Sequence, residues 1–297
     1  MYKNNLNKVL KNWILPVFIA LFFAFVIQTL FIKSFKYSGG FMEPTICDGD
    51  FIYVSKTKNI KIDDIVLVNN PLEENSDNFY LKRCVAVSGD TLEICNGSLY
   101  INNQEFISKG NIKNNYRIFA FDSISEYVVT EGFYSQNNIT VTGMYNIAID
   151  NNQLEKVAED AILKNVKKNY LPKGYSKSSI FPYSFRYRWN GDNFGPLIIP
   201  QKGQTVFLNA QSLPLYKQII SVYEDNNFRE ENGVFYINEK QTQFYTFKQN
   251  YIFLLNDNRL DLSDSRTWGL IPEEKIKGKA LFIWFSTNSI NRFFQKL

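Results

Sequence analysis

Apolar residues fill one long stretch near the start of the chain, from Trp13 to Ile32, with few interruptions. A helix over 13–32 would be about 30 Å long, which matches the apolar core of a bilayer. Bulky and basic residues follow it, not the small-residue pattern at which a secretory signal peptide is cleaved. We therefore predict a retained transmembrane anchor behind a cytoplasmic tail of residues 1–12. Lysines in that tail favour an N-terminus inside and a main domain outside the membrane.

After the anchor, short apolar runs alternate with turn residues, a pattern typical of β-strands. A sequence of the type Asn-Gly-x-x-Tyr-Ile-Asn occurs at 96–102 and again at 232–238, which indicates two similar hairpins. The predicted strands are Phe51–Ser55, Asp64–Asn69, Phe79–Val87, a hairpin over Leu92–Asn102, Leu197–Ile199, Thr205–Leu208, Gln218–Tyr223, Gly233–Ile237 and Tyr251–Leu255, with Gly278–Trp284 as the closing strand.

One segment has helical periodicity instead. Apolar residues share one face over Gln153–Tyr170, and Asn151 or Asn152 can cap that helix. The fold class is therefore mostly β, with an anchor first and an α+β insert at 104–195. Residues 37–103 and 196–297 would together form the β domain. The amphipathic tail at 288–297 either packs on that domain or lies on the membrane.

Composition limits the possible chemistry. The chain has no histidine, which excludes a Ser-His-Asp or Cys-His relay and any histidine-ligated metal. A net charge of +4 without a long basic run gives no indication of nucleic acid binding. We predict no metal and no cofactor. Cys47, Cys84 and Cys95 read as packing residues, although a bridge between two of them stays open.

Three stretches combine residues suited to catalysis. Residues 38–50 read SGGFMEPTICDGD, in which two glycines free the backbone and a proline stiffens it. Residues 79–90 read FYLKRCVAVSGD and place Lys82 in an apolar strand, where burial lowers the pKa of an amine towards neutrality. Residues 256–266 read NDNRLDLSDSR and are followed by Trp-Gly. Asp264 and Arg266 could form a charge-assisted pair there.

In order and spacing these stretches resemble the active-site boxes of bacterial signal peptidase I, a membrane-anchored serine peptidase with a Ser/Lys dyad. The resemblance implies a β-rich catalytic fold of the long-insert form whose apolar face meets the membrane. The resemblance also implies the reaction of that family, which is the removal of signal peptides from exported proteins. By this resemblance Lys82 is the general base, and Phe41 occupies the nucleophile position. Gly39 occupies an oxyanion position, and Met42 and Pro44 are substrate-binding. The remaining matches are supporting residues: Asp257, Asn258, Arg259, Leu262, Ser263, Asp264 and Arg266.

The departures from that pattern remove hydroxyl groups. The family has serine where this chain has Phe41, Gly39 and Leu262, and it has glycine where this chain has Asn256. The loss of one oxyanion donor alone costs roughly 100- to 1,000-fold in rate. A shifted register could bring Ser38 and Ser263 to two of these roles, but not to the nucleophile position.

Three functional hypotheses follow. The first is a family member that is weakly active or inactive, because its nucleophile is missing. The second is an active peptidase that uses Ser38 or Thr45 with Lys82. The third is a non-enzymatic scaffold that binds signal peptides and works beside an active paralogue. The expected partners are signal peptides or preproteins, membrane lipid and, under the third hypothesis, such a paralogue. The expected location is the inner membrane.

Overall fold

The computed structural model describes residues 13–22, 32–56, 59–69, 78–120, 134–135, 144–159 and 163–297. This part of the chain is mostly β, as predicted. Its helices are residues 13–22, Asn151–Glu159, Leu213–Gln218 and Ser265–Trp268, with a π-helical turn at Ile219–Tyr223 and 3₁₀ turns at Glu273–Lys275 and Ile290–Arg292.

Within the described ranges, the strands lie in five sheets. They are β1 (Ile32–Lys36), β2 (Asp50–Ser55), β3 (Ile65–Asn69), β4 (Phe79–Ala86), β5 (Thr91–Cys95), β6 (Ser98–Ile101), β7 (Gln104–Glu105), β8 (Asn114–Ala120), β9 (Tyr134–Ser135), β10 (Met144–Ile149), β11 (Leu163–Lys168), β12 (Phe194–Ile198), β13 (Thr205–Phe207), β14 (Phe228–Glu231), β15 (Val234–Ile237), β16 (Lys240–Gln241), β17 (Phe244–Thr246), β18 (Tyr251–Leu255), β19 (Ile271–Pro272), β20 (Ile276–Ser286) and β21 (Gln295–Lys296).

The largest sheet has eight strands in the order β1-β2-β20-β3-β4-β18-β19, with β21 added to β20. Within it, β4 is antiparallel to β3 on one side and β18 on the other. Because β18 leads directly into residues 256–266, this pairing brings that stretch beside Lys82. The tail at 288–297 packs on the domain through β21.

The described residues also form four smaller sheets. Strands β12-β5-β6-β7 make one sheet and β14-β15-β16 another, and the two repeated Asn-Gly sequences form similar tight hairpins in them. Asn96 and Gly97 both have positive φ, as do Asn232 and Gly233, which is the backbone geometry that Asn-Gly favours. Strands β13 and β17 form a separate pair, and β11-β8-β10-β9 make up a sheet within the predicted insert.

Buried apolar side chains form three clusters on the two faces of the large sheet and under the hairpins. Met42 and Ile46 belong to the cluster that lies against β2, β3 and β20, so the 38–50 loop is anchored by its apolar residues. Cys47, Cys84 and Cys95 are free, and Cys84 is buried.

Two secondary-structure predictions were wrong. The helix expected over Gln153–Tyr170 ends at Glu159, and Leu163–Lys168 pairs with β8 instead. A free sheet edge there supplies hydrogen bonds that outweigh local periodicity. The helix is capped by Asp150, not by Asn151 or Asn152. Asp150 accepts from the Gln153 N–H, and Gln153 accepts from the Asp150 N–H, as in a capping box.

The strand expected at Gln218–Tyr223 is also wrong, because this segment is helical. A run of β-branched residues suggested a strand. However, Leu213, Tyr216, Ile219 and Ile220 are all buried in one cluster. This helical spacing lets one face of the segment fill the core.

The predicted anchor falls only partly within the described residues, since 23–31 lie outside them. Residues 13–22 are helical. Within the part of the chain that the structure describes, no helix is both long and apolar enough to cross a membrane. The division into tail, anchor, β domain and insert stays a prediction.

Candidate active site

Lys82 lies in the middle of β4, opposite Val66 of β3, and is fully buried. Its Nζ donates a hydrogen bond of 2.5 Å to Oδ1 of Asn256. Burial lowers the pKa of Lys82 to about 8, although the carboxylates of Asp264 and Asp261 act in the opposite direction. An amine with this pKa is partly neutral near physiological pH, as a general base requires.

Three aromatic rings surround that amine. The Lys82 Nζ lies 4.7 Å from the ring centroid of Phe41, 4.9 Å from that of Trp268 and 5.5 Å from that of Tyr80. The Tyr80 and Trp268 rings meet edge to face at 5.8 Å. We call Phe41, Tyr80 and Trp268 the aromatic box. The ring faces of the box attract the ammonium form of Lys82. The box also excludes water, which would have stabilised that form more strongly than the rings do.

The 38–50 loop delivers Phe41 to this box, and two elements fix the loop there. The Asn258 main-chain N–H donates to the Phe41 carbonyl at 3.0 Å, and the Asn258 side chain donates to the Gly40 carbonyl at 3.2 Å. On the other side, the Met42 N–H donates to the Tyr37 hydroxyl at 3.0 Å. The first and third sequence stretches are thus bonded to one another.

Asn256 is the acceptor for Lys82 at a position where the family resemblance expects glycine. Its main-chain N–H donates to Asp264 at 3.0 Å, and its Nδ2 donates to the carbonyl and the carboxylate of Asp261, both at 3.2 Å. With Nδ2 occupied by acceptors, Oδ1 is left facing the amine. In the sequence, Asn256 stands where the family pattern has glycine. That difference was the available signal for its role.

Two buried ion pairs frame the site. Arg83, next to Lys82, binds Asp257 through Nε at 2.7 Å and Nη2 at 2.6 Å. The expected pairing of Asp264 with Arg266 is present, also through two bonds, of 3.0 and 2.7 Å. Burial opposes ionisation of Asp264, but its bonds to Arg266 hold the pKa of this carboxyl below its ordinary value.

The hydroxyl groups of Ser38, Thr45 and Ser263, which are the possible replacements for the missing ones, have other hydrogen-bond partners. Thr45 donates to the Asn111 carbonyl at 3.1 Å, and Ser38 bonds to the Asp48 carboxylate. Ser263 donates to the carboxylate of Asp261. Among the described residues, no hydroxyl group is a hydrogen-bond partner of Lys82.

The two other departures have packing consequences. Gly39 has φ of +116°, and a Cβ there would lie 3.3 Å from Cε2 of Phe41. Leu262 packs against the largest apolar cluster, and its Cδ2 lies 2.7 Å from where a Cβ on Gly191 would be. Glycine at 39 and leucine at 262 therefore fit their present surroundings.

The remaining predicted site residues have mixed locations. Met42 is fully buried in the core. Pro44 lines a separate cavity with Thr45 and Arg83. Arg259 lines a cleft between the 256–266 loop and the insert sheet. Their proposed parts in substrate binding or catalysis stay predictions.

Comparison with known proteins agrees with this arrangement. The profile of the family described as "Signal peptidase, peptidase S26" matches residues 10–174 and 197–285, which is more than half of the chain. The chain therefore belongs to this family of signal peptidases.

Several characterised relatives are similar along different parts of the chain. Signal peptidase I of Buchnera aphidicola (subsp. Baizongia pistaciae) is 26% identical over 89% of this chain and 73% of its own length. Signal peptidase IB of Staphylococcus aureus (strain MRSA252) is 24% identical over 63% of this chain and 98% of its own length. Signal peptidase I P of Bacillus subtilis subsp. natto is 31% identical over 32% of this chain, which spans about half, 52%, of that relative.

Proposed function

We propose that this chain is a membrane-anchored signal peptidase family protein that keeps the frame of the substrate site and cleaves signal peptides weakly or not at all. The observation that carries this proposal is the contact between Phe41 and Lys82. An apolar ring stands 4.7 Å from the amine, and it belongs to the residue that, by the family pattern, would carry the serine hydroxyl that passes its proton to that base.

The electrostatics of the site support the same conclusion. Asn256 already accepts from Lys82 at 2.5 Å, so a hydroxyl entering the site would compete with an existing bond. The frame is nevertheless well built, since both ion pairs are buried and doubly bonded. Such pairs are costly to desolvate, and they are consistent with a site whose shape still matters for binding.

The active-peptidase alternative has less support. It needs Ser38 or Thr45 to reach Lys82, and both hydroxyls have other partners. To use either one, the 38–50 loop would have to release its bonds to Asn258 and Tyr37. We therefore favour a binding role for signal peptides or preproteins, beside an active paralogue.

We also propose that residues 13–32 anchor the chain in the cytoplasmic membrane, with the N-terminus inside and the β domain on the outer face. The support is the predominantly apolar composition of this stretch and the lysines before it. Protease added to the outside of spheroplasts should digest the β domain. A protected domain would contradict this orientation.

The test of the main proposal separates cleavage from binding. The full chain, purified in detergent, is incubated with a preprotein that an active signal peptidase I cleaves, and in parallel with a photo-crosslinkable signal peptide. We expect crosslinking without cleavage. Steady cleavage at the normal site that Lys82→Ala abolishes would revive the active-enzyme hypothesis. Absence of both cleavage and crosslinking would refute the binding role.

A further inference from the structure

A cleft of about 240 Å³ lies between the 256–266 loop and the insert sheet. One wall is formed by Arg259, Leu260 and Leu262, and the other by polar residues at the ends of β8 and β11. Arg259 and Lys168 also line a neighbouring cavity of about 140 Å³. The two cations thus line both cavities, whereas Lys82 and Asn256 line neither of them.

Arg259 is the residue of this cleft whose side chain is not accounted for by the contacts around it. Its Nε is sealed from solvent and has no hydrogen-bond partner within the described ranges, and none of the ion pairs found there includes it. Its backbone is fixed, because its N–H donates to the Lys113 carbonyl at 2.9 Å and its carbonyl accepts from Arg266 at 3.0 Å. Burial and the nearby Arg266 lower the pKa of Arg259 to about 10.

A guanidinium at that pKa is charged at neutral pH. The carboxylates of Asp257 and Asp264 favour its charge, but no carboxylate among the described residues forms an ion pair with it. To leave a partly desolvated charge and a buried donor unpaired costs several kcal/mol in general. The neighbouring ion pairs show that this chain pairs its other buried arginines, Arg83 and Arg266, through two bonds each. An anion in the cleft would supply the pairing that Arg259 lacks.

The rest of the lining is of the kind that holds anions. Lys168 and Lys177 add positive charge, and Asn114, Asn115 and Asn169 add amide groups. Lys168 is held in place by a bond of 2.8 Å to the Gly97 carbonyl. The carboxylate that lines this cleft, Asp192, already accepts from the Leu171 N–H at 2.9 Å. Glu105 lines only the neighbouring cavity and is exposed.

We propose that this cleft binds an oxyanion, the phosphate or carboxylate group of a small ligand, between Arg259 and Lys168. Guanidinium presents a planar fork that matches two oxygens of such a group, and the lysine supplies a second charge. A space of this volume is below the usual range for drug-sized ligands, so the ligand is a free small anion or one anionic group. The inference goes beyond the proposed function, since it does not depend on whether Lys82 takes part in catalysis.

The experiment is calorimetric titration of the full chain in detergent with inorganic phosphate, and separately with succinate, each at ionic strength matched with sodium chloride. We expect saturable binding by the wild type, at least tenfold weaker in Arg259→Lys, which keeps the charge and loses the fork. Lys168→Gln should weaken binding similarly. Lys202→Gln, on an exposed turn far along the chain, is the matched control and should bind as the wild type does.

The two anions distinguish the source of the oxyanion, because the one that saturates at lower concentration identifies phosphate or carboxylate chemistry. Absence of saturation by both anions, or equal binding by the wild type and Lys168→Gln, would overturn the proposal. If Arg259→Lys does not fold, the comparison of the wild type with the separate variants Lys168→Gln and Lys202→Gln still tests the proposal.

Discussion

The amine of Lys82 and the side-chain oxygen of Asn256 are 2.5 Å apart, although the two residues are 174 positions apart in the chain. The same amine lies 4.7 Å from the ring centroid of Phe41. The bond to Asn256 means that Lys82 has a partner even though Leu262 offers no hydroxyl. The partner is neutral, so it can orient the amine without fixing its charge.

This bond predicts how Asn256 sets the pKa of Lys82. Asn256→Asp places an isosteric carboxylate beside the amine and should raise that pKa by one unit or more, by about 1–3 units in comparable pairs. Asn256→Leu removes the acceptor and should lower it. NMR titration of the lysine side-chain ¹³Cε signals measures both, with Lys82→Met to assign the resonance. Asn227→Asp, on an exposed hairpin, is the control, and an identical shift there would contradict the assignment to the Asn256 bond.

A second prediction concerns pH and stability. The pKa of Lys82 is about 8 in the folded chain and 10.5 for the unperturbed side chain. Below pH 8 both states are protonated, and the folded state carries the cost of a desolvated ammonium, on the order of 3 kcal/mol. Lys82→Met should therefore raise the free energy of unfolding at pH 7. Between pH 8 and 10.5 the unfolded state binds more protons, so the wild type gains stability and the advantage of Lys82→Met shrinks.

Urea unfolding of both proteins in detergent, at pH 7 and pH 10, tests this sign. A difference between Lys82→Met and the wild type that grows with pH would contradict the assigned burial of the charge. Lys240→Met, in an exposed hairpin, controls for the general effect of removing a lysine.

The third prediction is that Phe41→Ser alone restores little peptidase activity. It returns a nucleophile, but Asn256 keeps its bond to Lys82 and Gly39 supplies no hydroxyl for an oxyanion. Groups that act as a unit recover little when one is repaired. Adding Gly39→Ser, Asn256→Gly and Leu262→Ser should raise the cleavage rate by roughly 100-fold or more over the single change. Cleavage of a fluorogenic signal-peptide substrate is the measurement, and full activity of the single variant would contradict the argument.

The fourth prediction is that positions 39 and 41 are coupled. A Cβ at Gly39 would press on the Phe41 ring at 3.3 Å, on a backbone with φ of +116°. Gly39→Ser should therefore destabilise the wild type by about 1–3 kcal/mol. It should cost less in a Phe41→Ser background, where the ring is absent. A double-mutant cycle by thermal unfolding measures the difference, and strictly additive effects would show that the ring is not involved.

The fifth prediction concerns the end of the chain. Arg292 binds the buried Asp50 at 2.7 Å and the Thr45 carbonyl at 2.8 Å, so the tail fixes the loop that carries Phe41. Arg292→Ala leaves the Asp50 carboxylate without its cation and should destabilise the chain by about 3 kcal/mol. Arg186→Ala, which removes an exposed arginine, should change stability by less than about 0.5 kcal/mol. Equal losses in the two variants would contradict the role of the tail.

Much of the fold and of the candidate site could be predicted from the sequence, because the relevant signals are local. Alternating apolar residues bounded by turn residues predicted β2 through β6, and the Asn-Gly pairs predicted the similar hairpins, since few residues adopt the backbone that those turns need. The stretches 38–50, 79–90 and 256–266, in their order and spacing, indicated the family. The spacing of Asp264 and Arg266 was enough to predict their pairing.

The features that only the tertiary structure decided depend on contacts between segments that are far apart in the sequence. The helix predicted through Tyr170 gave way to a strand because β8 offered an unpaired edge, which no local pattern reports. The replacement of a serine partner by Asn256 required β18 to lie beside β4. Phe41 and Trp268 became walls of one box only because a main-chain bond and a side-chain bond from Asn258 join the two loops. The sequence determined which groups are present, whereas long-range strand pairing and burial decided which of them meet and what charge Lys82 can carry.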